Sequence, residues 1–237
     1  RRFFAQVKAG EAGGRDTWLD PYRPDDLPRT IWMYWDKGEA NAPDIVRYCI
    51  DSWRRRNDGW IVKVLDAKTA PDLVDMSDIP TDVPQRIYAD ILRMRLLKTF
   101  GGVWADATVY CHRSLDDWLP FCMPTGFFVF VDAGPDRWVE NWFIASARDG
   151  ALISGWLGTA TRELSKMRSC PRFYFFIMYA FQWAVMRDPD LAAAWRRCTR
   201  MPAPPCLLVA SALQGLTDRE AALTAIRRGL PVSKLSW

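Results

Sequence analysis

The sequence predicts an α/β protein: a Rossmann-like, mixed but mainly parallel sheet flanked by helices. Three observations predict it. Short β-branched and aromatic runs alternate with longer helical stretches. Glycine or proline marks the first joints between them. The chain has 237 residues, 49% of them hydrophobic and 25% charged, which fits one large domain with a sizeable core.

Taken in order, residues 1–28 read as a lead-in, because Gly13-Gly14, Pro21, Pro24 and Pro28 prevent long regular elements. Residues 29–237 read as a single domain. Arg29–Trp35 (RTIWMYW) is a first strand. Pro43 opens a helix that runs to about Arg56, where Asn57-Asp58-Gly59 stops it. Trp60–Leu65 is a second strand. Gln85–Phe100 is a helix ended by Gly101-Gly102, and Val103–Tyr110 (VWADATVY) is a third strand. Phe127–Val131 and Trp142–Ala147 are further strands. Asp149–Lys166, Phe173–Arg187, Asp190–Arg200 and Asp218–Arg228 are helices, Cys206–Ala210 a late strand, and Val232–Trp237 a terminal extended segment. Ligands of such sheets lie beyond the carboxyl ends of the strands. That places the loops after Trp35, Leu65 and Trp104 around one site.

Composition removes several kinds of chemistry. His112 is the single histidine, so a zinc site built on two histidines is excluded, and any Ser-His-Asp triad would have to use it. The six cysteines include no C-x-x-C pair and read as free thiols of a cytoplasmic protein. An acid, base or metal ligand is therefore expected to be a carboxylate. The net charge of +4 is spread over small groups such as Arg54-Arg55-Arg56 and Arg227-Arg228. These read as solvated helix faces. The alternative is contact with phosphates or an anionic membrane surface, a peripheral association. No nucleic-acid-binding motif is present. Phe173–Met186 is the longest apolar run and is too short to span a bilayer.

Two segments carry chemistry. The Gln85–Phe100 helix is apolar on several sides yet contains Asp90 and Arg93, three apart and so neighbours on one face. Such a pair is an internal salt bridge or a ligand contact. After Gly101-Gly102, the third strand carries Asp106, with Ala105 before it and Thr108 two residues on. A strand-end carboxylate can hold a divalent cation that offsets charge on a diphosphate, or it can simply form a turn. Trp32, Tyr34 and Trp35 end the first strand, where they either pack the core or face a nucleobase.

The succession RTIWMYWDKG, APDIVRYCIDSWRRRN and YADILRMRLLKTFGGVWADATVY, with the terminal VSKLSW, resembles the capsular polysaccharide synthesis glycosyltransferases. Through them it is similar to DXD-motif sugar transferases and, more distantly, to the clostridial glucosylating toxins. The similarity runs from about Leu27 to Trp237, and the block from Asp90 to Thr108 is its specific part. The resemblance implies a GT-A fold and transfer from a nucleotide-sugar, a UDP-sugar in first place, with retention at the anomeric carbon. The acceptor it implies is a glycan or lipid-linked precursor of capsular or other surface polysaccharide.

It further implies that Asp90 and Arg93 contact the donor sugar, with Ala105 beside them, and that Asn141 faces the reacting sugar. Asp106 takes the first DXD position, and Thr108 stands where the second Asp would be. Mn2+ or Mg2+ would be held by Asp106, Thr108 and Ser236. Ser236 and Trp237 would close over the diphosphate as a lid, with Lys234 adding a charge. Asp132, Asp136 and Glu140 are the nearby carboxylates, and no base is singled out among them. Two other readings stand beside this one. One is an inactive sugar- or nucleotide-binding module, suggested by thirteen Trp residues and the missing second Asp. The other is a sugar-nucleotidyltransferase, for which Asp36-Lys37-Gly38-Glu39 is a poor phosphate loop.

Overall fold

In a computed structural model of the chain, which describes residues 27–79, 83–167 and 174–235, period-2 alternation sorts the strand residues into two cores. On β1 (Thr30–Tyr34), Ile31 and Met33 enter one core while Trp32 and Tyr34 enter the other. On β3 (Gly102–Ala105), Val103 and Ala105 part from Trp104 in the same way. So do Phe128 and Phe130 from Phe127 and Val129 on β5 (Phe127–Gly134), and Phe143 from Ile144 on β6 (Arg137–Ser146). Strands that are apolar on both faces belong in the middle of a sheet covered on both sides.

The covering helices follow. Helix α1 (Asp44–Arg56) lays Val46, Ile50 and Trp53 on the Ile31 side. The Trp32 side is covered by α2 (Gln85–Phe100), α3 (Ala151–Ser165), α4 (Phe176–Arg187) and α5 (Pro189–Arg196). Trp156 of α3 and Phe181 of α4 meet edge to face at 5.0 Å and are fully buried. Each side chain of this size contributes roughly 1.5–3 kcal/mol by leaving water.

With β2 (Ile61–Leu65) and the short β7 (Met201–Pro202), the main sheet has six strands in the order β2-β1-β3-β6-β5-β7. β1 pairs in parallel with β2 and β3, and β5 with β7; β6 is antiparallel to both β3 and β5. The sheet is mixed and mainly parallel, as expected. Among the described residues, no helix is long and apolar enough to cross a membrane.

Two expectations are corrected. The third strand does not run unbroken to Tyr110. It stops at Ala105, Asp106 to Thr108 form a turn, and β4 (Val109–Cys111) restarts in a second sheet, antiparallel to β8 (Val232–Lys234). The turn is closed by the Val109 amide donating to the Asp106 carbonyl at 2.8 Å. Cys206–Ala210 is not a strand but the middle of helix α6 (Pro204–Leu213). Pro204 and Pro205 pre-set its first turn, and a short apolar run does not by itself distinguish strand from helix. A last helix, α7 (Arg219–Arg227), leads back to β8. Smaller shifts are that β6 begins at Arg137 rather than Trp142, that α3 is trimmed at both ends, and that α5 starts at Pro189 and stops at Arg196 rather than Arg200. Phe173 lies outside the described residues.

The close approach of β1 and β3 depends on one glycine. Gly102 has φ +98, and a Cβ there would stand 2.5 Å from the Thr30 carbonyl oxygen. A backbone oxygen cannot step aside, so any side chain both strains the dihedral and parts the strands. Gly102→Ala is expected to lower unfolding free energy by about 3 kcal/mol or more in urea denaturation. A change within the about 0.5 kcal/mol of a surface substitution would contradict this packing.

Candidate active site

A cleft of about 680 Å³ opens where the carboxyl ends of β1 and β3 meet β6. Tyr34, Trp35 and the Asp36-Lys37 turn come from β1, and Trp104 with Asp106 to Thr108 from the end of β3. The loop after Leu65 contributes no lining residue, although β2 holds the end of β1 through the Trp35 amide donating to the Leu65 carbonyl at 2.9 Å. Helix α2 presents Gln85, Arg86, Ala89, Asp90 and Arg93, which its period brings onto one stripe.

At the floor, Arg93 is shared between two carboxylates. Its guanidinium lies 3.0 Å from Asp90 and 3.1 Å from Asp106, stacks over the Trp104 ring with 4.9 Å to the centroid, and donates to the Asn141 carbonyl. The Asn141 amide donates to Asp90 at 2.7 Å. The Trp104 indole N–H donates to Asp106 at 2.9 Å. Strand register sets this up: Ala105 faces Phe143 across β3 and β6, and the Asp106 amide donates to the Trp142 carbonyl at 2.8 Å. On the other side of Asp106, Lys234 of β8 brings its ammonium to 3.4 Å and also donates to the Thr108 hydroxyl.

The two carboxylates differ in environment. Burial pushes Asp90 up to about 6, with Arg93 opposing and Asp106 adding to the rise. Burial also acts upward on Asp106, but Arg93 and then Lys234 outweigh it and hold that carboxyl below its ordinary value. Asp106 keeps 24% of its side chain exposed, against 9% for Asp90, so it is the more reachable of the two.

The other residues named from the sequence divide clearly. Asp90, Arg93, Asp106, Thr108, Asn141, Tyr34 and Trp35 line the cleft. Trp32 does not: its indole donates to the Gly101 carbonyl at 2.9 Å and its ring packs on Phe100 in the core. Ala105 faces the opposite core. Ser236 and Trp237 lie outside the described residues. Of the three nearby carboxylates, only Glu140 lines the cleft, buried and bonded to Arg137 at 2.7 Å. Asp136 is bound by Tyr179 at 2.7 Å at the surface, and Asp132 lines a separate hollow with Trp138 and Arg196. His112 is away from the cleft, bonded to Ser233 at 2.8 Å, with burial lowering it to about 4. The five described cysteines are buried thiols.

Sequence reading passed over Arg137, Tyr174 and Phe175, which form one wall; Arg137 stacks on Phe175 at 3.9 Å. The signal for Arg137 was its three-residue spacing to Glu140. Lys234 was read only as a charge in a tail.

The fold and the sequence are similar to those of glycosyltransferases. A solved structure titled PaToxG Glycosyltransferase superposes with TM-score 0.50 at 15% identity, over 96% of this chain and 89% of that one, which establishes the fold. "Glycosyltransferase afumC" of Aspergillus fumigatus is 32% identical over 163 residues, 58% of this chain and 41% of that protein. "O-glycosyltransferase braB" of Annulohypoxylon truncatum is 30% identical over 164 residues, 59% of this chain and 38% of that protein. The matches thus span about two fifths of those relatives' lengths. The chain belongs to the capsular polysaccharide synthesis protein family, whose profile matches residues 19–237.

The raised carboxyl has a consequence for stability. An unfolded Asp titrates near about 3.9, and folded Asp90 near about 6. Its contribution is therefore fully present below about pH 4 and is lost as pH rises through about 6. Asp90→Asn removes this titration. The stability of wild type relative to the variant is expected to fall by about 2 kcal/mol between about pH 4 and pH 7, measured by urea denaturation at each pH. A difference that does not change with pH would contradict the burial of this charge.

Proposed function

We propose that the cleft binds a nucleotide-sugar, in first place a UDP-sugar, and that the chain transfers its sugar to an acceptor hydroxyl with retention. The observation that carries this reading is the hydrogen-bonded Asp90–Arg93–Asp106–Asn141 cluster at the floor of a strand-end cleft. Carboxylates and an amide are what sugar hydroxyls bind. Tyr34 and Trp35 at the β1 end offer flat faces to a nucleobase. The relatives' names, glycosyltransferase and O-glycosyltransferase, support the class of reaction. The family supports an acceptor that is a glycan or lipid-linked precursor of a surface polysaccharide.

The chemistry asked of the site is simple. The bond between the anomeric carbon and the β-phosphate oxygen breaks, and its electron pair stays on that oxygen. The acceptor hydroxyl forms the new bond on the same face and gives its proton to the departing phosphate. Fixed cations beside the phosphate lower the barrier because they stand ready before charge develops.

The resemblance also implies Mn2+ or Mg2+ at Asp106, Thr108 and Ser236, and this can be set against the donor set. One oxygen of Asp106 meets Arg93 and Trp104 and the other meets Lys234, which also holds Thr108. Among the described residues, no three His, Cys, Asp or Glu side chains gather as a metal site. Hard cations need several oxygen ligands with lone pairs to give. The described residues do not fit a resident divalent cation, because cations of the protein already engage both side chains.

Asp106→Asn keeps the shape and leaves Arg93 its bond to Asp90, so the fold should survive. It frees the two cations that Asp106 aligns. Donor turnover per folded molecule is expected to fall about a hundredfold or more, measured as release of nucleoside diphosphate from UDP-sugars. Near-normal turnover would contradict the assignment. Wild-type binding without turnover would favour an inactive sugar-binding module.

A further inference from the structure

We propose that the ammonium of Lys234 takes the place of a divalent cation in this site, so that the diphosphate is held and its departure stabilised without metal. This rests on the nucleotide-sugar reading above.

The argument begins with strand pairing. β8 lies antiparallel to β4 with Lys234 opposite Val109, and the Leu235 amide donates to the Thr108 carbonyl at 2.8 Å. The root of the lysine is thus fixed by main-chain bonds directly beside the Asp106 turn. Its ammonium bridges the Asp106 carboxylate, at 3.4 Å, and the Thr108 hydroxyl. Those are the two side chains at the positions where a DXD motif would bind metal. The lysine side chain is only 24% exposed, so this is not a solvated surface contact.

Charge accounts for the substitution. Two carboxylates holding a divalent cation sum to zero charge, and Asp106, Thr108 and Lys234 together also sum to zero. The hydroxyl at 108 beside an ammonium therefore leaves no net negative charge for a metal to balance. An ammonium carries three N–H donors. Asp106 and Thr108 take two, which leaves one for a phosphate oxygen in the cleft that Lys234 lines. When the anomeric C–O bond breaks and its electron pair remains on the β-phosphate, the ammonium faces the growing charge and Asp106 keeps it aimed.

The test is titration calorimetry of UDP into the protein, first in excess EDTA and then with added Mn2+ or Mg2+, on wild type, Lys234→Met and Lys234→Arg. Thermal melting of each free protein checks the fold. The expected result is that wild type binds UDP equally with EDTA or metal. Lys234→Met should bind roughly tenfold or more weakly, and Lys234→Arg should retain most of the affinity. The proposal is overturned if wild-type binding vanishes in EDTA and returns with metal, or if Lys234→Met binds as wild type does; either result leaves the glycosyltransferase reading standing. Failure of wild type to bind UDP under both conditions would instead overturn the nucleotide-sugar reading, and the proposal with it. The wild-type comparison needs no variant, so it decides even if Lys234→Met does not fold.

Discussion

A buried guanidinium shared by two carboxylates is the interaction on which the rest of this structure depends. Arg93 sits on α2, one partner carboxylate is on the same helix, and the other is at the end of β3. Its bond to the Asn141 carbonyl reaches β6 as well. Three elements are therefore joined at one charge. Taking such groups out of water costs several kcal/mol per ion, and the cost is offset only when every charge is matched. Here the matching extends past the three of them. Trp104 covers the face of the guanidinium and bonds Asp106, Asn141 bonds Asp90, and Lys234 closes the set. Well-packed hydrophobic residues in place of buried ion pairs often stabilise a fold as well or better. Polar machinery retained at that expense, at the floor of a cleft, is the pattern of a working site.

The cluster stands where it does because β3 ends there. The Gly102 dihedral lets β3 press against β1, and the turn at Asp106 then lifts the chain out of the main sheet into the β4/β8 pair. That departure turns a strand residue into a cleft residue. It also lets β8 deliver Lys234 to a hydroxyl 126 positions away in the chain. The same geometry sorts the aromatic residues of β1: Trp32 and Tyr34 share a face, but only the one at the strand end reaches the opening.

Much of this was legible in the sequence, and the reasons are specific. Gln85–Phe100 could be read to its ends because Pro84 and Gly101 bracket an apolar helix, and the Asp90–Arg93 pair stood out against that background. The pair is indeed a salt bridge, and it also lines the cleft, so the two readings offered for it are not exclusive. The break after Ala105 was legible only in part: Asp106 was read as a strand end that could form a turn, yet the strand was carried through to Tyr110. VWADATVY is β-prone on either side of Ala105-Asp106-Ala107, and the turn there, closed by the Val109 amide on the Asp106 carbonyl, accompanies the pairing of β4 with β8, far along the chain. Cys206–Ala210 was misread because five apolar residues suit either a strand or a buried helix, and the two prolines before them were the better signal. The partnership of Lys234 with Asp106 and Thr108 could not be seen at all, since it exists only through the β4/β8 pairing.

The central claim is that this cluster is where a sugar diphosphate binds, and a crystal structure with a bound UDP-sugar tests it most directly. The account predicts the diphosphate between Arg93 and Lys234, the sugar hydroxyls within hydrogen-bond reach of Asp90, Asp106 or Asn141, and the base against Tyr34 or Trp35. A ligand seated elsewhere on the protein, with the four-residue cluster untouched, would contradict it.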